Sequence, residues 1–150
     1  LNEDSFVCGG VSYDDRYQDD TLPRIVVLVL LSDLPQPVEF IVDTGATWCV
    51  LDPLLIERLG HRAEFLFLSE HPLTIRGITY AGSFYRVSMS FEAMTGQGLE
   101  LESTVFVPKL LPDETWLYPN FIGLDGFLNR IRFAVDPLFN MFYFGPLIEE

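Results

Sequence analysis

The apolar run Phe40-Ile41-Val42 ends abruptly on Asp43-Thr44-Gly45-Ala46, and few features restrict a fold so tightly. An acid placed where a buried strand breaks into a tight turn is costly, because a carboxylate leaving water needs partners. Gly45 can take backbone angles closed to other residues and lets a second backbone come close. Thr44 adds a compact hydroxyl that both donates and accepts a hydrogen bond. The segment therefore asks for a strand that delivers the acid, a sharp loop after it and a scaffold that holds both. The chain has one such loop.

The surroundings read as mostly β. Residues 24–31 are β-branched and apolar, 34–37 form a proline-marked turn, and 38–42 make a second strand that delivers Asp43. A short strand at 50–51 leads into a helix at 52–60. There Asp52 suits the N-cap, Pro53 the first helical position and Gly60 the C-terminal stop. Strands are expected at 65–68 and 73–75, and the segment 77–82 before the alternating run 84–91 reads as a hairpin tip. Thr95-Gly96-Gln97-Gly98 turns the chain into a strand at 99–107, and a proline-rich connection spans 108–119. The last third holds a short buried strand at 121–123, a short helix at 124–130 capped by Asp125, and strands at 131–135 and 141–144. The expected fold is a closed or rolled sheet with two short helices. Residues 1–22 read as an acidic, loosely held arm with one short edge strand, 23–146 as the domain and 147–150 as a tail.

Bulk properties narrow the function classes. A chain of 150 residues with 13 Phe can bury a core in one domain. Its formal net charge of −13 argues against nucleic-acid phosphates and anionic membranes as partners. The longest apolar run, 25–31, is too short to cross a bilayer as a helix. Without an initiating Met, Leu1 is expected to mark a processing site or an internal boundary. Cys8 and Cys49 give no disulfide framework, which fits a reducing, cytoplasmic compartment, and Cys49 reads as a packed thiol. His61 and His71 have no Cys or acid at metal-ligand spacing, so no metal is expected. Trp48 and Trp116 read as core or interface aromatics.

Three features fall in order along the chain: Phe-Ile-Val-Asp-Thr-Gly-Ala at 40–46, the glycine-bounded hairpin at 77–82, and Phe121-Ile122-Gly123-Leu124-Asp125. This order resembles the retropepsin-like aspartic peptidases, single-lobe relatives of pepsin that work as homodimers. The stretch from Ile122 to Gly145 looks most like the cellular members, which include bacterial homologues and the domain of ubiquitin receptors related to DNA-damage-inducible protein one. The resemblance implies a single-lobe acid-protease closed β-barrel and a homodimeric endopeptidase acting on peptide or protein substrates without a cofactor. Two carboxylates held together cannot both ionise cheaply, so such a pair shares one proton. One can take a proton from a bound water while the other protonates the scissile carbonyl oxygen. With one motif per chain, the pair must come from two chains.

Carried over by position, Asp43 is the catalytic carboxylate and Thr44 braces the two loops across the dimer. Gly45 and Ala46 line the cleft, with Thr47 beside them. Arg76, Gly77, Ile78, Thr79, Tyr80, Ala81 and Gly82 match the flap that closes over substrate. Phe121, Ile122 and Gly123 match the strand beside the active loop, where a side chain on Gly123 would crowd that loop. Residues 141–144 are the interface candidate, because terminal strands interleave in the family's dimers. Retroviral members pair an Asp matching Thr47 with an Arg matching Leu124; both charges are absent here, so neither is stranded. Tyr80 leaves two readings open, a hydrogen bond over the site or simple packing. The alternative function is a catalytically inactive dimerisation or peptide-binding module on the same fold.

Overall fold

The computed structural model describes residues 8–14, 25–32, 34–59 and 65–147. The expected stop at Gly60, residue His61 and most of the acidic arm and tail lie outside them.

Period-two alternation builds a barrel whose central strands bury one face and the other only in part. The strands are β1 (Gly9–Ser12), β2 (Ile25–Leu31), β3 (Val38–Val42), β4 (Cys49–Val50), β5 (Leu66–Glu70), β6 (Leu73–Ile75) and β7 (Ile78–Tyr80). They continue with β8 (Gly82–Phe91), β9 (Thr95–Gly96), β10 (Leu99–Pro108), β11 (Phe121–Ile122), β12 (Ile131–Asp136) and β13 (Met141–Pro146). The order β10-β4-β11-β3-β2-β8 closes on itself through the β8–β10 pairing, giving a six-stranded barrel with β5 appended to β8. On β2, Val27, Val29 and Leu31 join Phe40, Leu51, Val87, Met89 and Ile122 in one core. Their neighbours Val26 and Ile41 face the other way, into a second core with Val50, Phe84, Phe106, Trp116 and Phe121. The outer face of β2 is fully covered only at Val26, since Leu28 is exposed, so the unbroken apolar run 25–31 overstates the burial of this strand.

Helix α1 (Pro53–Leu59) starts as the sequence dictates. The Leu54 N–H donates to Asp52 Oδ1 at 2.9 Å, while Pro53 occupies the position whose N–H has no helical partner. The second expected helix is reduced to a 3-10 turn at Leu128–Arg130, and Asp125 does not cap it. The N–H groups of Leu124 and Asp125 donate instead to Ala46 O and Thr47 O, at 2.9 and 2.7 Å. Those bonds draw the segment alongside the Asp43 loop, and Gly126 at φ +85° interrupts a right-handed helix there. Asp125 Oδ1 accepts from Asn129 Nδ2, a contact within the turn.

Two further expectations change. The strand of the N-terminal arm is interior, since β1 pairs with β13 on one side and β9 on the other. For the same reason β13 has no free edge: β1 takes one side of Met141–Phe144 and β12 the other. The expected interleaving of residues 141–144 with a partner would have to displace strands already paired within the chain. Among the described residues no helix is long and apolar enough to cross a membrane.

Candidate active site

Asp43 sits where β3 ends. Its N–H donates to Ile122 O at 2.9 Å, extending the parallel β3–β11 pairing by one bond into the loop. The chain then turns, with the Ala46 N–H donating to Asp43 O at 3.1 Å and the Gly45 N–H to Asp43 Oδ1 at 2.9 Å. One carboxylate oxygen is thereby fixed by the backbone of its own loop, the compensation that an acid at a strand end requires. Asp43 is half-buried, whereas Thr44, Gly45 and Thr47 are exposed, so the loop presents its tip to whatever lies above it.

The loop is braced from behind by Phe121, Ile122 and Gly123. Phe121 stands opposite Ile41 in the parallel ladder and opposite Val50 in the antiparallel one. Gly123 runs against the loop's far limb: a Cβ there would lie 2.3 Å from Trp48 O, 2.4 Å from Trp48 C and 3.0 Å from Ala46 O. Its N–H donates to Cys49 Sγ at 3.4 Å. Burial pushes the Cys49 thiol up to about 12, so it stays protonated and serves as packing. Asn120, not singled out from the sequence, ties the brace together. Its side-chain oxygen accepts from the Asp52 N–H at 2.7 Å, its amide donates to Glu39 O at 3.0 Å, and its backbone carbonyl accepts from the Ile41 N–H.

The residues expected in a flap form a hairpin with a shifted boundary. Strands β6 and β7 pair as Ile75↔Ile78, so the tip is Arg76-Gly77 and not 77–82. Both tip residues have positive φ, +51° and +82°, as a type I′ turn requires. Ile78, Thr79 and Tyr80 form the returning strand, with Thr79 Oγ1 2.8 Å from Thr74 Oγ1. Ala81 and Gly82 fall outside the hairpin: Ala81 O accepts from the Lys109 N–H, and Gly82 is buried at the start of β8. Tyr80 ends the returning strand, outside the cavity lining. Its ring meets Trp116 edge-on at 5.4 Å, and partial desolvation together with the adjacent Tyr118 hydroxyl raises its pKa.

Hairpin and loop together enclose a cavity of about 190 Å³. Asp43, Gly45, Ala46, Thr47, Arg76 and Phe121 line it, joined by Trp48, Val50, Leu73, Thr74 and Ile75, which were not assigned to the site from the sequence. Leu73 and Ile75 carry the signal that was missed, since alternation along β6 sends both onto the second core beneath the cavity. Trp48 packs edge-on against Phe84 at 5.1 Å and forms a wall. Thr44, Gly77, Ile78, Thr79, Tyr80, Ala81, Gly82, Ile122 and Gly123 do not line it. A carboxylate held by one backbone amide thus stands at a small cavity with aromatic and aliphatic walls.

No protein-family model matches the sequence, and a search of curated proteins returns no match. Solved structures do match. A retropepsin-like aspartic protease from Rickettsia conorii aligns with a TM-score of 0.55 and 18% identity over 91% of each chain. The retroviral protease-like domain of Ddi1 from Leishmania major aligns with a TM-score of 0.52 and 14% identity, over 85% of this chain and 96% of that one. The chain has the single-lobe, mostly β closed-barrel fold of the retropepsin-like aspartic proteases.

Proposed function

We propose that the protein is a homodimeric aspartic endopeptidase in which two Asp43 carboxylates, one from each protomer, activate a water for attack on a peptide bond. The observation that carries this reading is the Asp43 loop: its acid is fixed by the Gly45 N–H at 2.9 Å at the edge of a lined cavity, on the fold of aspartic proteases. A single acid cannot serve as proton acceptor and proton donor in the same step. A two-fold axis beside the exposed tips of Thr44 and Gly45 supplies the second, and the Thr44 hydroxyls then brace the loops across it. Residues 73–80 act as the flap, lowering over the substrate and excluding water. No metal or cofactor enters this mechanism.

Cleavage of casein or a mixed peptide library between pH 4 and 7, run beside Asp43→Asn, tests the proposal. Wild-type protein cuts and the variant, equally folded by circular dichroism, does not. Equal cleavage by both, or no cleavage by a well-folded wild-type dimer, leaves the inactive peptide-binding or dimerisation module as the reading. Sedimentation at micromolar concentration tests the assembly, since a stable monomer has no means of pairing its acids.

A further inference from the structure

The tip of the β6–β7 hairpin holds an Arg where a turn of this shape favours Asn, Asp or Gly. Arg76 sits at φ +51°, a region that L side chains occupy at a cost. Its guanidinium lies 5.0 Å from the centre of the Tyr118 ring and 5.4 Å from that of Phe121. It also lines the cavity that contains Asp43. Arg76 is exposed, so its forked N–H donors are open to a ligand that enters the cavity. Among the described residues no carboxylate stands within ion-pair distance of Arg76, although the chain carries 22 acidic residues. A cation is thus held on aromatic faces in the wall of a reaction cavity, in a strongly acidic molecule, with its donors unspent.

We propose that Arg76 is a specificity-determining residue that receives a substrate carboxylate beside the scissile bond. The group it takes is planar and anionic, matching the guanidinium fork with two parallel hydrogen bonds. An acidic side chain within the peptide and a free C-terminus near the cut both supply it. The proposal rests on the peptidase reading of Asp43 for its turnover consequence, but the binding consequence stands apart from catalysis.

The test uses matched peptides with an apolar pair at the cut and Glu or Gln at each flanking position, with amidated or free C-termini. Wild-type protein is expected to favour the carboxylate member by about tenfold in kcat/KM at one position, the forked charge-assisted contact being weakened by the solvent exposure of Arg76. Arg76→Asn, which accepts the positive φ, brings the ratio close to one, and Arg76→Glu inverts it toward Lys-containing peptides. The position of the preferred group tells an internal acid from a C-terminus. A ratio equal in wild type and Arg76→Asn, with both rates lowered together, would make Arg76 a structural prop and overturn the proposal. Anisotropy of labelled Glu and Gln peptides on Asp43→Asn, with and without Arg76→Asn, reads the same preference in binding. A preference in binding with no cleavage by any variant refutes the peptidase and keeps the subsite; no preference in either refutes the subsite.

Discussion

Replacing Gly123 by Ala adds one methyl group where three backbone atoms already stand. The new carbon would meet Trp48 O at 2.3 Å, Trp48 C at 2.4 Å and Ala46 O at 3.0 Å. Carbon contacts settle near ~3.5 Å, so the loop must retreat by roughly 1 Å. None of these atoms belongs to a side chain that can rotate aside. Overpacking of this kind costs about 1–3 kcal/mol, and the rigid partners place it near ~3 kcal/mol. In a chain of this length that lowers the thermal midpoint by roughly 6–12 °C. The displaced atoms are those of the Asp43 loop, and a misplacement of about 1 Å at a reacting group costs on the order of 100-fold in turnover. Gly77→Ala is the control. It has positive φ but nothing within 4 Å of the added carbon, so it loses about 1 kcal/mol through backbone strain alone. Urea titrations of the three proteins, with peptide cleavage measured on the folded variants, give both numbers. Gly123→Ala as stable as wild type, or less harmful than Gly77→Ala, would show that the loop is not held as described.

Other outcomes follow from the same contacts. Asn120→Ala removes the acceptor of the Asp52 N–H and the donor to Glu39 O, and is expected to cost about 1–3 kcal/mol in urea titration. Asp52→Ala strips the cap from α1 and costs about 1 kcal/mol, with Asp52→Asn recovering most of it. The Cys49 thiol stays protonated in the fold up to about 12, whereas in the unfolded chain it ionises near 9.0. The folded state therefore keeps a proton that the unfolded state has lost. Its contribution is whole below pH 9 and falls by about 1.4 kcal/mol per pH unit as the pH rises toward 12. The stability difference between wild type and Cys49→Ala should accordingly be flat below pH 9 and shrink above it; a constant difference across pH 8–11 contradicts the assignment. Tyr80→Phe keeps the edge-on contact with Trp116 and should be far milder in thermal melts than Tyr80→Ala, which loses about 0.5–1.5 kcal/mol of ring contact as well as buried area.

Local chemistry was legible where one segment decides its own shape. Val38–Val42 is apolar but for Glu39, runs into an acid and a glycine, and forms the expected strand and turn. Asp52-Pro53 starts a helix because cap and first position sit side by side. The misreadings share a long-range origin. Leu124 and Asp125 look like a helix start in isolation, but their N–H groups bond to Ala46 O and Thr47 O, nearly 80 residues earlier in the chain. Gly82 looked like turn material, yet it is buried where a Cβ would strike Phe106. The hairpin tip is Arg76-Gly77, with Arg76 an improbable residue at positive φ. β13 pairs along its second edge with Gly9–Ser12 of the same chain, a pairing no local pattern announces. At the site, Asp43 stood out by its cost, while Trp48, Leu73 and Ile75 resembled ordinary core and were recognised only once the hairpin lay over them.

The decisive measurement is a subunit-mixing titration. Wild-type protein is unfolded and refolded together with increasing amounts of Asp43→Asn, and cleavage is expressed per wild-type chain. If each active centre needs an acid from both protomers, mixed dimers are silent and this specific activity falls in proportion to the wild-type fraction. A specific activity that stays level as the variant is added would mean that one chain carries the whole reaction, and the paired-acid account would be wrong.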